Sequence, residues 1–202
     1  MQEKYLVFTG RPNAGKSSLI KELSGLKIAT GKRPGTTRGI KKYPINDGLF
    51  LVDLPGLGKM MGVSKRFEEE VNRRIVEFLE SNAQNIVLAV VLLDISTFLE
   101  VTWRLEKKGF QSVDVEMVKF LAANLGEFPV VVANKTDKTT TAELEANLNE
   151  FIDRISDGNP SAVQGSVFTT SFKTGKGLGD LKSAIHKRLL AKGYKTQFKI
   201  QT

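Results

Sequence analysis

The chain reads as an α/β domain in three layers, a six-stranded and mostly parallel sheet with one antiparallel edge strand and helices on both faces. Three observations predict it. Short apolar runs alternate with longer helix-like segments along the whole chain. The runs are apolar at nearly every position rather than at every second one, the pattern of strands covered on both sides. A glycine-rich loop joins the first run to the first helical segment. Strands are expected near 4–9, 39–45, 48–53, 85–94, 128–134 and 166–171, and helices near 15–24, 64–81, 111–125, 140–157 and 177–192. Asp47-Gly48 is a tight-hairpin pair, so strands two and three run antiparallel and strand two forms an edge. No internal repeat or low-complexity tract interrupts the pattern.

Composition fits one domain of this kind. A chain of 202 residues can bury about 70% of the surface exposed when it is unfolded. There is no cysteine, so no disulfide framework or thiol chemistry is available, which suits a cytosolic protein. Met1-Gln2-Glu3-Lys4 leads straight into the first strand, leaving no room for a signal peptide. The longest apolar stretch, Ile86 to Leu93, is too short to span a bilayer and ends in Asp94. A soluble, cytoplasmic protein without membrane insertion is expected, with residues 1–192 as the domain and 193–202 as a short basic tail.

The loop after strand one carries the chemistry. Gly10-Arg11-Pro12-Asn13-Ala14-Gly15-Lys16-Ser17 fits G-x-x-x-x-G-K-[ST] at every fixed position, and Ser18 continues into the helix. The glycines let successive N–H groups point at one anion, and the helix N-terminus adds partial positive charge. Lys16 would reach the β- and γ-phosphates, and the Ser17 hydroxyl would ligate Mg²⁺. Downstream, the run from Phe128 to Ala133 feeds Asn134-Lys135-Thr136-Asp137. A carboxylate accepts both N1–H and N2–H of guanine, whereas adenine presents an acceptor at N1. Asp137 is thus the expected guanine reader, Asn134 braces the loop, and the Lys135 stem covers the base. GTP rather than ATP follows.

Two further elements lie between these motifs. Leu49-Phe50-Leu51-Val52 ends in Asp53-Leu54-Pro55-Gly56, where Asp53 would hold Mg²⁺ through water and the Gly56 N–H would sense the γ-phosphate. Upstream, Arg33-Pro34-Gly35-Thr36-Thr37-Arg38, followed by Gly39, carries two hydroxyls, one of which should close on the metal. Finally, Val167-Phe168-Thr169-Thr170 runs into Ser171-Phe172-Lys173, placed to touch the far side of the base. Each element leaves the end of an expected strand, where ligands of open α/β sheets bind.

These residues resemble the Era/TrmE/EngA/EngB group of TRAFAC-class GTPases. The phosphate-binding loop and Pro34-Gly35-Thr36-Thr37-Arg38 carry the likeness. The stretches from Gly31 to Arg38 and from Asp53 to Gly58, with Met60-Met61-Gly62, are similar to the EngB branch in its archaeal form. The resemblance covers nearly the whole chain. It implies a P-loop NTPase fold of the Ras-like G-domain type and makes Thr37 the switch hydroxyl carried to the metal. Ser171-Phe172-Lys173 departs from the family's S-A-K, and its middle residue is expected to contribute mainly backbone. The resemblance further implies a slow, Mg²⁺-dependent GTPase linked to large-subunit ribosome assembly and to normal septation and cell division. Larger members of the group carry additional domains. No such domain is expected here, so the GTPase domain itself would touch the partner.

The expected mechanism has a gap at the attacking water. Ras-like proteins orient it with a Gln after D-x-x-G, where this chain has Leu57. Asn13 stands where potassium-dependent members place a K⁺ ligand; alternatively it caps the loop, and a partner supplies the missing group. Hydrolysis is expected to be weak without a partner or K⁺.

Charge points to anionic partners. Thirty Lys and Arg against 22 Asp and Glu give +8. From Lys27 to Lys42 there are Lys27, Lys32, Arg33, Arg38, Lys41 and Lys42 with no acid, which loads the switch loop with positive charge. The tail from Lys192 to Lys199 interleaves Tyr194 and Phe198 with lysines, compatible with base stacking and equally with a frayed end. Ribosomal RNA or a ribosomal subunit is the expected partner, with the chain a monomer. The competing reading is a nucleotide-gated adaptor with vestigial hydrolysis that grips a protein through Met60, Met61 and Trp103. Trp103 by itself reads as a hydrophobic anchor, His186 as a surface residue of the last helix, and Phe67 to Arg74 as an exposed helix face laced with i,i+4 pairs.

Overall fold

The computed structural model describes residues 2–25, 39–46, 48–58 and 64–195. Its strands are β1 (Lys4–Gly10), β2 (Lys41–Asn46), β3 (Leu49–Asp53), β4 (Ile86–Asp94), β5 (Val130–Asn134) and β6 (Val167–Thr169). They form one sheet in the order β2-β3-β1-β4-β5-β6. Only the β2–β3 pair is antiparallel, as the hairpin requires. The helices are α1 (Lys16–Ser24), α2 (Lys65–Ser81), α3 (Phe98–Glu106), α4 (Val113–Leu125), α5 (Thr141–Ser156) and α6 (Leu178–Ala191).

The central strand shows why apolar runs were needed. In β1, Leu6 and Phe8 face a layer built by Leu19, Ile20 and Leu23 of α1 and Leu181, Ile185 and Leu189 of α6. Tyr5 and Val7 face the opposite layer, with Val71, Ile75 and Leu79 of α2, Val118 and Leu121 of α4 and Phe151 of α5. Alternate residues of one strand thus enter two cores, and both sets must be apolar. Local signals fix the helix starts. The Ser64 hydroxyl accepts from the Phe67 N–H at the head of α2, and Thr140 and Glu143 form a reciprocal capping box at the head of α5. The polar face of α2 pairs Arg73 with Glu77 and Arg74 with Glu70, as its charge pattern predicts.

The structure departs from expectation between β4 and α4. Residues 98–106 form α3, a sixth helix. Its buried side chains are Phe98, Val101 and Thr102, and Trp103 lies on the opposite side, 61% exposed. Trp103 is therefore not a core anchor. Its ring instead carries the Lys107 ammonium 3.4 Å from its centroid, a cation–π contact across one helical turn. At the other end of the chain, Tyr194 packs on the layer that holds Tyr43 and Ile45, and the Asn46 amide donates to the Lys195 carbonyl. The first residues of the basic tail thus return to the edge strand, while 196–202 lie outside the described residues. His186 is partly buried on α6.

Phe151 joins α5 to the segment leading into α3, its ring edge-on to Phe98 at 5.1 Å and wholly buried. Phe151→Ala should destabilise the protein by about 3–5 kcal/mol, read as a fall in the midpoint of urea unfolding.

Candidate nucleotide-binding site

The phosphate-binding loop takes its shape from contacts that only glycine permits. Gly10 has φ of 135°, and a Cβ there would lie 2.1 Å from the Leu92 carbonyl oxygen. Gly15 has φ of 112° and caps α1 with no side-chain hydrogen bond. The first N–H groups of α1 are therefore left for a ligand rather than spent on a cap. Asn13 adopts φ of 64° and is exposed at the turn. Inside the loop, the Lys16 ammonium donates to the carbonyls of Gly10 at 3.0 Å and Arg11 at 3.4 Å. Lys16 is 7% exposed. Burial pushes its pKa down to about 8, with Asp53 and Asp114 partly offsetting the shift. A desolvated ammonium that donates to two backbone carbonyls is well suited to exchange them for phosphate oxygens.

The Asp53-Leu54-Pro55-Gly56 segment is bound to this loop. Asp53 ends β3, paired with Phe8 in β1. The Leu54 N–H donates to the Phe8 carbonyl and the Leu57 N–H to the Gly10 carbonyl. A Cβ on Gly56 would meet the Pro12 ring at 2.7 Å. Asp53 is wholly buried and Ser17 stands in the first turn of α1. A carboxylate and a hydroxyl are hard oxygen donors that fit Mg²⁺. No group of three or more His, Cys, Asp or Glu capable of holding a metal occurs among the described residues. Such an ion would complete its shell with phosphate and water. Gly35, Thr36, Thr37 and Arg38 lie outside the described residues, as do Met60 and Met61. Gly39 lies exposed just before β2.

At the base end, Asn134 closes β5 and is 3% exposed. Its amide nitrogen donates to the Ala14 carbonyl at 2.9 Å. Its oxygen accepts from the Phe172 N–H and the Thr170 hydroxyl. Lys135 follows in the left-handed region with φ of 71°, its ammonium on Asp94 at the end of β4. Thr136 is buried, with its N–H and hydroxyl both on the Thr170 carbonyl. Asp137 accepts from the Ser171 hydroxyl at 2.6 Å, and Lys173 stands 3.9 Å from its other oxygen. The Ser171 bond, with Lys173 and Lys138 adding to it, holds the Asp137 carboxyl below the usual range. It stays ionised, the state in which both oxygens can accept from guanine.

The structure thus brings together the loop at 10–18, Asp53 to Gly56, Asn134 to Asp137 and Ser171 to Lys173. It corrects one detail. Phe172 gives its backbone to Asn134, but its ring also lies against Gly15, where a Cβ would sit 2.9 Å from it. Its side chain is therefore part of the wall over the phosphate-binding loop. Sequence reasoning missed Asp94 and Asp114. Asp94 ends an apolar strand as Asp53 does, a signal that could have found it. Asp114 has no such local signal.

Residues 5–135 match the family model described as 50S ribosome-binding GTPase. A probable GTP-binding protein EngB from Methanopyrus kandleri is 36% identical over 192 residues, 94% of either chain. The chain belongs to the EngB family. A crystal structure of a probable GTP-binding protein EngB superposes with a TM-score of 0.80 at 35% identity, covering 93% of this chain and 99% of that one. Era, crystallised with MgGDPNP and nucleotides 1506–1542 of 16S ribosomal RNA, shares the fold at a TM-score of 0.60 and 24% identity, over 93% of this chain and 57% of that one. As an EngB-family protein the chain binds GTP and GDP and is a GTPase. No described helix is long and apolar enough to cross a membrane.

The depressed Lys16 pKa has a measurable consequence for this EngB-family site. Phosphate needs the ammonium, which the nucleotide-free protein loses above about pH 8. GDP affinity should therefore fall as pH rises through 8, approaching about tenfold per pH unit. Titration calorimetry across pH 7 to 9 should show this slope in the wild type and not in Lys16→Met.

Proposed function

We propose that this chain is a slow, Mg²⁺-dependent GTPase switch whose GTP form docks on ribosomal RNA of the large subunit during assembly. In this reading the reaction is attack of water on the γ-phosphorus of GTP, giving GDP and phosphate. Lys16 and the N–H groups of residues 13–18 neutralise the phosphates, and Ser17, Thr37 and water-linked Asp53 hold Mg²⁺. The Gly56 N–H senses the γ-phosphate, while Asp137, Lys135, Asn134 and Ser171 to Lys173 hold the guanine. When bound, Mg²⁺ supplies charge neutralisation between the β- and γ-phosphates.

The observation that carries the partner is charge. The acid-free run from Lys27 to Lys42 is continuous with the nucleotide-sensing Thr36 and Thr37, and its last two lysines stand exposed at the start of β2. The description of the matching family model is in keeping with this. The reading goes with a cytoplasmic, monomeric protein linked to normal septation and cell division. Pelleting with purified ribosomal subunits should show binding to the large subunit with a non-hydrolysable GTP analogue, little with GDP, and steep weakening between 50 and 200 mM salt, order 10³-fold if about six phosphates are contacted. Equal binding in both nucleotide states would overturn the proposal.

Leu57 cannot orient water, so hydrolysis by the isolated chain is slow. Asn13, exposed in the left-handed turn of the loop, is the proposed K⁺ ligand. Turnover should rise when KCl replaces NaCl, by about tenfold or more if K⁺ offsets developing charge, and Asn13→Ala should abolish the difference.

One observation favours a second reading, a nucleotide-gated protein adaptor. Leu99, Trp103 and Phe110, three of the large apolar side chains exposed among the described residues, fall within α3 and the turn after it. Salt-insensitive, GTP-dependent capture of a protein, lost in Trp103→Ala, would move the assignment there.

A further inference from the structure

Asp114 is a carboxylate that the fold only partly explains, since the first turn of α4 favours an acid but not one so nearly buried. It lies in the first turn of α4 between Val113 and Val115, is 6% exposed, and one of its oxygens has no hydrogen-bond partner among the described residues. Its other oxygen faces the Arg11 guanidinium of the phosphate-binding loop at 3.5 Å. Burial raises its pKa to about 6, against the pull of Arg11 and Lys16 and with Asp94 adding to the rise. The ionised carboxylate is therefore a net cost to folding at neutral pH, which the Arg11 contact only partly offsets. An apolar or amide side chain there would serve the core better.

What Asp114 touches is the hub of the phosphate end. The Gly10 carbonyl receives both the Lys16 ammonium and the Leu57 N–H, and the Arg11 carbonyl receives Lys16 and the Ala14 N–H. Val113, the neighbour of Asp114, lies against Gly58, whose N–H is in turn held by Asn72 of α2. One helical turn of α4 therefore contacts the phosphate-binding loop on one side and the segment after Gly56 on the other.

We propose that Asp114 is a positioning residue for GTP: through the Arg11 side chain it fixes the Gly10-Arg11 backbone from which Lys16 and Leu57 hang, and so ties the phosphate loop to the γ-phosphate-sensing segment. GDP leaves the γ-phosphate position empty and depends on this tie much less. The inference rests on Lys16 and Gly56 acting at the phosphate end.

The test compares Asp114→Asn, Arg11→Gln and the double variant. Affinities for GDP and a GTP analogue are measured by fluorescent-nucleotide titration, and hydrolysis by single turnover. Asp114→Asn should melt no lower than the wild type at pH 7, bind GDP within threefold of it, and lose about tenfold in both relative affinity for the analogue and maximal hydrolysis rate, the size of a typical coupling. Arg11→Gln should lose the same discrimination while melting lower, because it strands a buried charge. The double variant should fall no further than the worse single one. Wild-type discrimination and rate in a folded Asp114→Asn, or losses that multiply in the double variant, would overturn the proposal. Should Asp114→Asn not fold, wild-type behaviour in Arg11→Gln would overturn it equally. Failure of the wild-type chain to bind GDP would instead bring down the reading of the nucleotide site, and the positioning role with it.

Discussion

The side-chain amide of Asn134 holds three loops that the chain keeps far apart in sequence. Its nitrogen takes the Ala14 carbonyl, and its oxygen takes the Phe172 N–H and the Thr170 hydroxyl. Buried amides are expensive unless donors and acceptors are all matched. Here the matching requires the phosphate loop, the end of β5 and the segment after β6 to arrive together. Asp137 and Ser171 then meet at 2.6 Å, and the guanine end is set before any nucleotide arrives. Removing Asn134 would leave the buried Ala14 carbonyl and the buried Thr170 hydroxyl without this partner, and three loops untethered.

The phosphate end is built on the opposite principle. Lys16 and Asp114 are both almost wholly buried, and burial shifts both away from their charged forms. Gly56 is pressed against Pro12, and Gly10 against the Leu92 carbonyl. The Lys16 ammonium, held in low dielectric, is suited to meet an incoming triphosphate, whereas the Asp114 carboxylate is met by Arg11. A site stiff at the base and unsatisfied at the phosphates would bind any guanine nucleotide and respond to the third phosphate.

Much of this was legible in the sequence because the informative residues sit at the ends of apolar strands. Gly10, Asp53 and Asn134 each follow a run whose burial on both faces fixes its direction, so reading the strands located the loops. The elements that escaped have physical reasons. Helix α3 follows β4 after one short turn with no proline or glycine between, and its buried Phe98, Val101 and Thr102 form a narrow stripe beside charged residues. Trp103 was expected as a hydrophobic anchor, but the buried face of α3 is formed by Phe98, Val101 and Thr102, and Trp103 falls outside it. Asp94 and Asp114 act on Lys135 and Arg11 from distant parts of the chain, and no local periodicity reports such a pairing.

The two unpredicted aspartates divide the labour in an instructive way. Asp94 ends a strand, is partly solvated, and meets a lysine whose backbone is already locked in a left-handed turn. It adds to an arrangement that Asn134 and Thr136 would nearly hold without it. Asp114 is desolvated, poorly satisfied, and in contact with Arg11 of the phosphate-binding loop. A buried charge in contact with the phosphate-binding loop is better explained, on the proposed reading, by what it holds in place than by stability. By that argument the proposed sensitivity of this domain to GTP resides in α4 as well as in the motif loops, and the exposed Phe110 lies just before α4 in the chain.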